Sequence, residues 1–463
     1  MRKNINLFRF RLAGNLLAVR GFGRRLMMGL DCMSMKSCGW LLLAGVLLLN
    51  ACKKDYGDLN HATMEAFSNN PTASELNNLV SGTESGMRNN MALYLDDAGI
   101  LGRELYHFST SEPRYVTDML GANDATLSNS NFYITNPWAS RYQVVKNCNI
   151  LIQAASSSQL ITTAQKSGYI GWARMIKAYQ LLWNLNLTDS NGIRIDVADP
   201  AHLGPFVSYP AALTAIAALL DSSKTDLSSA SVNFTLAGFS SFSDAAGLLQ
   251  VNRALAARVA VYQQDWAGAL TALSQSFFGL NKDLSIGVNY VYGTGSGDQL
   301  NTFFIPQNQT GEIRLAHPSY VADITPGDDR IGKATLRTSS ASLNGLTSNR
   351  DVWVFTTSTA PIPIIRNEEL ILIYAEANIQ TTHFTEAVTA LNAIRSRHGL
   401  GNYGGAVTQP ALLTEMLRQR RYSLYCEGHR WIDLRRYHLL NTLPVDRPGD
   451  DVWAEFPLPV SEQ

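Results

Sequence analysis

The chain has 463 residues, with 46% hydrophobic and 16% charged side chains and 38 basic against 38 acidic residues. That length and apolar content suffice for one large or two ordinary domains with a substantial buried core. Residues 1–51 hold eight Lys or Arg and one Asp, so beyond them 38 − 8 = 30 basic residues face 38 − 1 = 37 acidic ones, and the net charge of 30 − 37 = −7 argues against nucleic acid or another polyanion as the main partner.

The run at 40–49, WLLLAGVLLL, is too short to cross a bilayer comfortably as a helix and is followed by Asn50-Ala51-Cys52. This is the pattern of a signal-peptide apolar region with a lipobox-like site. Residues 1–51 are expected to be removed, with the true start at Met1, Met33 or Met35, and Cys52 to carry acyl chains that anchor the protein to a membrane without spanning it. Residues 52–75 then form the lipidated N-terminus and a polar tether, with Met64 and Phe67 as its docking points. Of the five cysteines only Cys148 and Cys426 remain in the processed domain, as two buried free thiols or as one bridge.

Further along, helical periodicity is clear at Trp138, Tyr142, Val145, Asn149 and Ile152, with Asn136-Pro137 as the start signal. A second helix is predicted over about 163–185 with Trp172, Ile176, Tyr179, Leu182 and Trp183 inside. A third begins at Pro210 and carries Leu213, Ile216, Leu220 and Leu227 on one side. Residues 251–274 and 367–395 resemble one another. Each has a first helix with small residues (Ala256-Ala257; Ala375 and Ala377), a polar turn ending in an aromatic (Trp266; Phe384), and a second helix opening AGALTAL or TEAVTAL. Small residues let helices pack closely, so these are divergent tetratricopeptide-type repeats, or else two unrelated αα-hairpins. Residues 81–136 and 281–365, rich in Gly, Asn, Ser, Thr and aromatics, are expected to be loop-rich. Residues 362–365 and 456–459 read as short extended stretches.

The stretch 417–437, LRQRRYSLYCEGHRWIDLRRY, is expected to form one helical element. Its apolar stripe is Leu417, Leu424, Tyr425, Gly428, Trp431 and Ile432, and Arg420, Arg421, Glu427, Arg430 and Asp433 flank it as bridges to neighbouring elements. This stretch resembles the C-terminal signature of the SusD/RagB family, with Cys426 as the departure. Also similar are NPWASRYQVVKNCNIL, GYIGWARMIKAYQLL, VNRALAARVAVYQQDWAGAL, IIRNEELILIYAEAN followed by IRSRHGL, and FPLPVSEQ, in the expected order, whereas 186–195 departs from the family's loop ending. The resemblance implies an all-α, tetratricopeptide-like helical-repeat core with a loop-rich ligand-binding half. One SusD-like domain is expected over 76–463, with helical repeats within 137–280 and 366–463. The resemblance further implies a surface-exposed, lipid-anchored outer-membrane protein that binds an oligosaccharide or similar nutrient and hands it to a SusC-like TonB-dependent transporter. It implies no cofactor.

Catalytic patterns are weak. His429 and His438 lie nine residues apart with arginines between them, and no HExxH pair, GxSxG elbow or Walker loop occurs. Glu368, Glu369 and Glu376 share one helix, whereas sugar hydrolysis needs two carboxylates facing each other across about 5–10 Å. Asp323, Asp328 and Asp329 suggest either a calcium site or a turn in which an Asp pairs with Arg330. Capture rather than turnover is the reading. Flat aromatic faces cover sugar rings and planar polar side chains pair with hydroxyls, and the loop-rich segments supply both. The candidates are Arg114, Tyr115, Asn131, Phe132 and Tyr133 in the first, and Tyr290, Tyr292, Gln299, Asn301, Phe303, Phe304 and Trp353 in the second, with Tyr115, Tyr133 and Tyr292 foremost. Trp138, Trp172, Trp183, Trp266 and Trp431 are assigned to packing. A non-catalytic helical-repeat scaffold of the cell envelope is the alternative, and a surface glycan hydrolase a third reading.

Overall fold

The computed structural model describes residues 70–462. The apolar run at 40–49, the lipidation site at Cys52 and the tether up to residue 69 lie outside the described residues. Among those described, no helix is long and apolar enough to cross a membrane.

The first two helices are Ala73–Gly86 (α1) and Met91–Leu101 (α2). Thr72 caps α1 through a reciprocal box in which its Oγ1 accepts from the Glu75 amide at 3.3 Å while Glu75 Oε2 accepts from the Thr72 amide at 2.7 Å. Residues 73–75, expected in the tether, therefore open a helix that buries Leu76, Leu79 and Val80. In α2 ten of the eleven residues are buried, so no polar face marks a helical period. This is why a segment expected to be loop-rich is helical at its start.

The long pair Phe132–Ser157 (α3) and Thr163–Thr188 (α4) follows, then Tyr209–Leu227 (α5), Ala245–Tyr262 (α6) and Trp266–Ser274 (α7). The first of these begins six residues before Trp138, and Pro137 lies inside it rather than at its start, because Tyr133 and Ile134 already bury against the core. Thr162 caps α4 with Gln165 in the same reciprocal manner as Thr72. Proline sits in the first turn of α5.

Strands occupy part of the segment expected to be irregular. Leu105–Phe108 (β1), Ile313–Ala316 (β5), Ala334–Leu343 (β6) and Leu346–Val352 (β7) make an antiparallel sheet of order β1-β5-β7-β6. Gly287–Tyr290 (β4) pairs with Ile362–Arg366 (β8), and Ile193–Arg194 (β2) with Phe206–Val207 (β3). A short helix, Pro318–Ala322 (α8), follows β5. The β6–β7 hairpin turns at Asn344-Gly345, both at positive φ (49° and 80°), the backbone a two-residue hairpin turn demands. A polar strand with one exposed face reads in sequence like a loop, and most of β6 is exposed.

The C-terminal helices are Asn367–Gln380 (α9), Phe384–Arg397 (α10), Gln409–Ser423 (α11) and Arg430–Arg436 (α12). Successive helices from α3 to α7 pack side by side, then α7 on α9, and α9 on α10 and α11. The two repeats match in backbone detail. The residue two positions before each turn aromatic, Gln264 and Thr382, has a left-handed φ (59° and 63°), and the next amide bonds the carbonyl five residues back, Asp265 to Ala260 and His383 to Asn378, both at 2.8 Å. Each αα-hairpin thus closes through the same 6→1 turn. Trp138, Trp172, Trp183 and Trp431 are buried, and Trp266 packs half-buried against the core.

The signature stretch is two helices rather than one element. The chain leaves α11 after Ser423 and re-enters helix at Arg430, turning through Cys426 and Gly428, both at positive φ (58° and 79°). Its charges do bridge neighbours: Arg420 Nε to Asp433 Oδ2 at 2.6 Å, Arg436 to Asp433 at 2.8 Å and to Glu376 at 2.9 Å, and Glu427 to Arg366 at 2.7 Å. Asp328 makes a two-pronged pair with Arg330, as the turn reading expects. Cys148 and Cys426 are free, buried thiols.

Candidate functional site

The polar face of the loop-rich half is an open cleft of about 740 Å³, within the roughly 300–1,000 Å³ usual for ligand pockets. Its wall comes mainly from three places far apart in sequence, with Ser140 of α3 at its edge. The α1–α2 turn and α2 give Arg88, Asn89, Asn90 and Asp96; β1 and the turn after it give His107 and Tyr115; the 292–314 segment gives Tyr292, Gln299, Leu300, Glu312 and Arg314. Pairing of β1 with β5 sets His107 opposite Arg314, so both reach Asp96 from one face of the sheet.

Asp96 is the buried anchor. Arg314 grips both its oxygens, Nε to Oδ1 and Nη2 to Oδ2, each at 2.6 Å, and His107 Nδ1 lies 3.2 Å from Oδ2. Burial opposes its charge, but Arg314 and His107 overcome this and pull the carboxyl down to about 2, so it is ionised throughout the working range. Arg314 also donates to the carbonyls of Thr302 and Phe303 at 3.0 and 2.9 Å, tying the 292–314 segment down. Next to it, Asp97 is buried, and burial together with the Asp96 charge pushes it well above the carboxylate range.

Above this anchor the His107 ring stacks on Tyr115, centroids 4.0 Å apart at 17°. His107 Nε2 lies 3.3 Å from Oε1 of Glu312, whose side chain is largely exposed. Hydrogen bonding to His107 holds the Glu312 carboxyl below its usual range. On the other strand of wall, Arg88 pairs with Asp298, donates to the Val291 carbonyl at 2.6 Å and faces the Tyr292 ring at 5.8 Å. Gln299 Nε2 donates to Asn89 Oδ1 at 3.0 Å, and Asn90 Nδ2 to Ser140 Oγ at 2.7 Å. The cleft therefore presents amides and a carboxylate, while the His107, Tyr115 and Tyr292 rings form a largely buried wall beneath them. The fold's own ion pairs hold them in place.

Of the residues singled out from sequence, Tyr115, Tyr292 and Gln299 come together in this cleft. Arg114, Asn131 and Tyr133 form a separate cluster. Arg114 Nη1 donates to Asn131 Oδ1 at 2.7 Å, and Asn131 Nδ2 and the Tyr133 hydroxyl both donate to Asp118 Oδ2 at 3.1 Å. Arg114 also bonds Glu112 at 2.6 Å and covers Phe132 at 4.9 Å, so its donors are engaged inside the chain. Tyr133 is fully buried. Tyr290 is buried as well, its hydroxyl 3.0 Å from that of Tyr179. Asn301 and Phe303 are buried, and Phe304 and Trp353 pack on each other with their rings tilted by 53°, centroids 5.9 Å apart. Sequence reading missed Asn89, His107, Glu312 and the Asp96–Arg314 pair. His107 sits in a four-residue strand whose every position is buried, so no alternation betrays which side chain reaches a cavity.

Glu368, Glu369 and Glu376 each meet a different cation: Arg366, Arg258 at 2.6 Å and Arg436 at 2.9 Å. Among the described residues no group of three His, Cys, Asp or Glu is placed to hold a metal ion.

Comparison with known proteins adds a likeness in fold and a partial match in sequence. The sequence model of the SusD family matches residues 331–453, from just before β6 to Trp453. A SusD superfamily protein from Bacteroides vulgatus superposes with a TM-score of 0.64 at 15% identity over 84% of this chain and 96% of its own. The fold is SusD-like. A SusD superfamily protein from Parabacteroides distasonis superposes with a TM-score of 0.63 at 16% identity, covering 85% of this chain and 97% of its own. Surface glycan-binding protein A from Bacteroides thetaiotaomicron, solved in complex with laminarihexaose, gives the same score, identity and coverage. No curated protein sequence matches. The SusD-matched stretch contains the repeat pair α9–α10 and the signature helices but none of the cleft wall.

Proposed function

We propose that this chain is a cell-surface lipoprotein that captures an oligosaccharide in the Tyr115–Tyr292 cleft and delivers it to a TonB-dependent outer-membrane transporter, without making or breaking a bond. The observation that carries the reading is the cleft's composition. Two tyrosine rings, a stacked imidazole and several fixed planar side chains line one open space of about 740 Å³, which suits rings with apolar faces and hydroxyl edges. The laminarihexaose complex of a protein with the same fold supports a glycan as the cargo. The ligand contacts proposed are Tyr115, Tyr292, Gln299, Asn89, His107 and Glu312; Arg114, Asn131 and Tyr133, in their own hydrogen-bonded cluster, and the buried Tyr290 are left outside the contact set.

Calorimetric titration with laminarihexaose and other oligosaccharides tests the capture step. Tyr115→Ala and Tyr292→Ala are each expected to weaken binding about two- to tenfold, since an aromatic contact contributes on the order of 0.5–1.5 kcal/mol, while the helical circular dichroism stays unchanged. Undiminished affinity in the double variant would place the site elsewhere. Delivery is tested by gentle solubilisation of the membrane and pull-down through a C-terminal tag. A stoichiometric TonB-dependent transporter is the expected companion, and other envelope proteins in its place would favour the scaffold reading.

A further inference from the structure

Where α11 meets α12, the surface holds positive charge that the chain leaves unneutralised. A second cavity of about 400 Å³ is lined there by Arg418, Arg421 and Arg430 beside Leu417, Leu434 and Tyr422. Arg421 is engaged, donating from Nη1 to Asp323 Oδ2 and from Nη2 to Ser319 Oγ, each at 2.8 Å. Arg418 is exposed and makes no ion pair among the described residues. Arg430 is half-buried and donates from Nε to the Gly102 carbonyl at 2.9 Å, with no carboxylate at ion-pair distance among the described residues.

Two other acids lie close, and neither neutralises the wall. Asp433 is shared between Arg420 and Arg436, at 2.6 and 2.8 Å. Burial pushes Glu104, which feels Arg430 and Arg421, up to about 8, so it is largely protonated at neutral pH. Three guanidiniums thus face one available carboxylate, that of Asp323, leaving 3 − 1 = 2 uncompensated positive charges. Burial, with Arg421 as the next cause, depresses Arg430 to about 10, and all three arginines act on the Tyr422 hydroxyl. Like charges held together in a concave wall repel unless an anion sits between them.

We infer that this cavity binds a phosphomonoester carried on a sugar-sized organic group. A phosphomonoester bears a charge of about −1.5 to −2 at pH 7 and three acceptor oxygens, which matches the two unbalanced charges and the planar forks of guanidinium donors. A monocarboxylate would neutralise only one of them. The side chains of Leu417, Leu434 and Tyr422 give the carbon skeleton an apolar wall, and the concavity suits an enclosed small molecule better than a flat charged surface.

Calorimetry on the full chain with glucose 6-phosphate, in buffer free of phosphate, tests this. One molecule is expected to bind per chain, at least about tenfold more tightly than gluconate, and with affinity that falls as salt is raised. Arg418→Glu is expected to weaken it at least about tenfold without changing the circular dichroism, since the residue is exposed and unpaired. Tyr115→Ala in the sugar cleft is expected to leave it intact. The inference is overturned if the wild type gives no heat, if gluconate binds as tightly, if Arg418→Glu binds unchanged, or if Tyr115→Ala alone abolishes binding. Flotation on phosphatidic acid vesicles that glucose 6-phosphate fails to displace would assign the arginines to a membrane surface and overturn it too.

Discussion

Arg258 on α6 and Glu369 on α9 join the two helical repeats through a pair that is 4% and 2% exposed. Nε meets Oε1 and Nη2 meets Oε2, both at 2.6 Å; Nη2 also donates to the Ile364 carbonyl at 2.8 Å, and His429 Nε2 stands 3.8 Å from the carboxylate. Burial opposes the charge of Glu369, yet Arg258 and then His429 bring its carboxyl from 4.5 down to about 2. That difference of 4.5 − 2 = 2.5 corresponds to about 3 kcal/mol, at roughly 1.4 kcal/mol per pH unit. Because the folded value is the lower one, this stability is fully present above pH 4.5 and is lost as pH falls through about 2. Glu369→Leu strands a buried guanidinium, and Arg258→Met strands a buried carboxylate, so each is expected to destabilise by about 3–5 kcal/mol. The double variant removes both charges and leaves mainly the Ile364 carbonyl without its donor, so it is expected to stay within about 2 kcal/mol of wild type. Urea unfolding at neutral pH followed by far-ultraviolet circular dichroism measures all three. A double variant whose loss equals the sum of the singles would refute the argument that the pair acts as one neutral unit.

Tyr133→Phe removes a hydroxyl bonded to Asp118, to Asn131 and to the Ser128 amide and should cost about 1–3 kcal/mol of stability while leaving oligosaccharide affinity unchanged, read by urea unfolding and calorimetry. Glu104, buried and pushed up to about 8 from 4.5, binds its proton more tightly folded than unfolded, so its effect on stability worsens as pH rises through that window. Glu104→Gln is therefore expected to flatten the fall in melting temperature between pH 5 and pH 8, and an unaltered slope would contradict this. Gly428→Ala puts a Cβ 3.2 Å from the Tyr94 ring at φ +79° and should destabilise by about 1–3 kcal/mol in the same unfolding assay; a neutral result would show that the α11–α12 turn relaxes freely.

The helical repeats were legible because their apolar positions recur at helical spacing and because Trp266 and Phe384 mark equivalent turns. The α2 helix was not, since it is apolar on nearly every face, and β6 was not, since Ser and Thr dominate a strand that water reaches. Thr72 with Glu75 is a readable helix start and Asn344-Gly345 a readable hairpin turn, but each is a single local signal inside a long polar stretch whose composition resembles a loop. In the signature, helical period predicts one continuous element, but Gly428 at φ +79° shows the chain reversing there instead. Tyr115 and Tyr292, chosen as single aromatics in polar surroundings, both line the cleft. The same criterion chose Tyr133, whose polar neighbours Asn131 and Ser128 turn out to be its own hydrogen-bond partners.

That division has a physical cause. The stretch matched by the family, 331–453, contains α9 to α12, where buried pairs such as Arg420–Asp433 and Arg436–Glu376 tolerate few replacements because a lone buried charge is costly. The cleft is assembled outside that stretch, from side chains whose mutual contacts exist only after β1 pairs with β5 some two hundred residues later, as the pairing of His107 with Arg314 shows. In the proposed function, the groups that would set ligand specificity are ones such as Gln299, Asn89 and Glu312, which are solvated and can change without disturbing the core. The Asp96–Arg314 pair beneath them is the connection between the two regimes. It is as buried as the signature's ion pairs, yet it fixes the strand that presents His107, so its loss should loosen the cleft even though neither residue need touch a sugar.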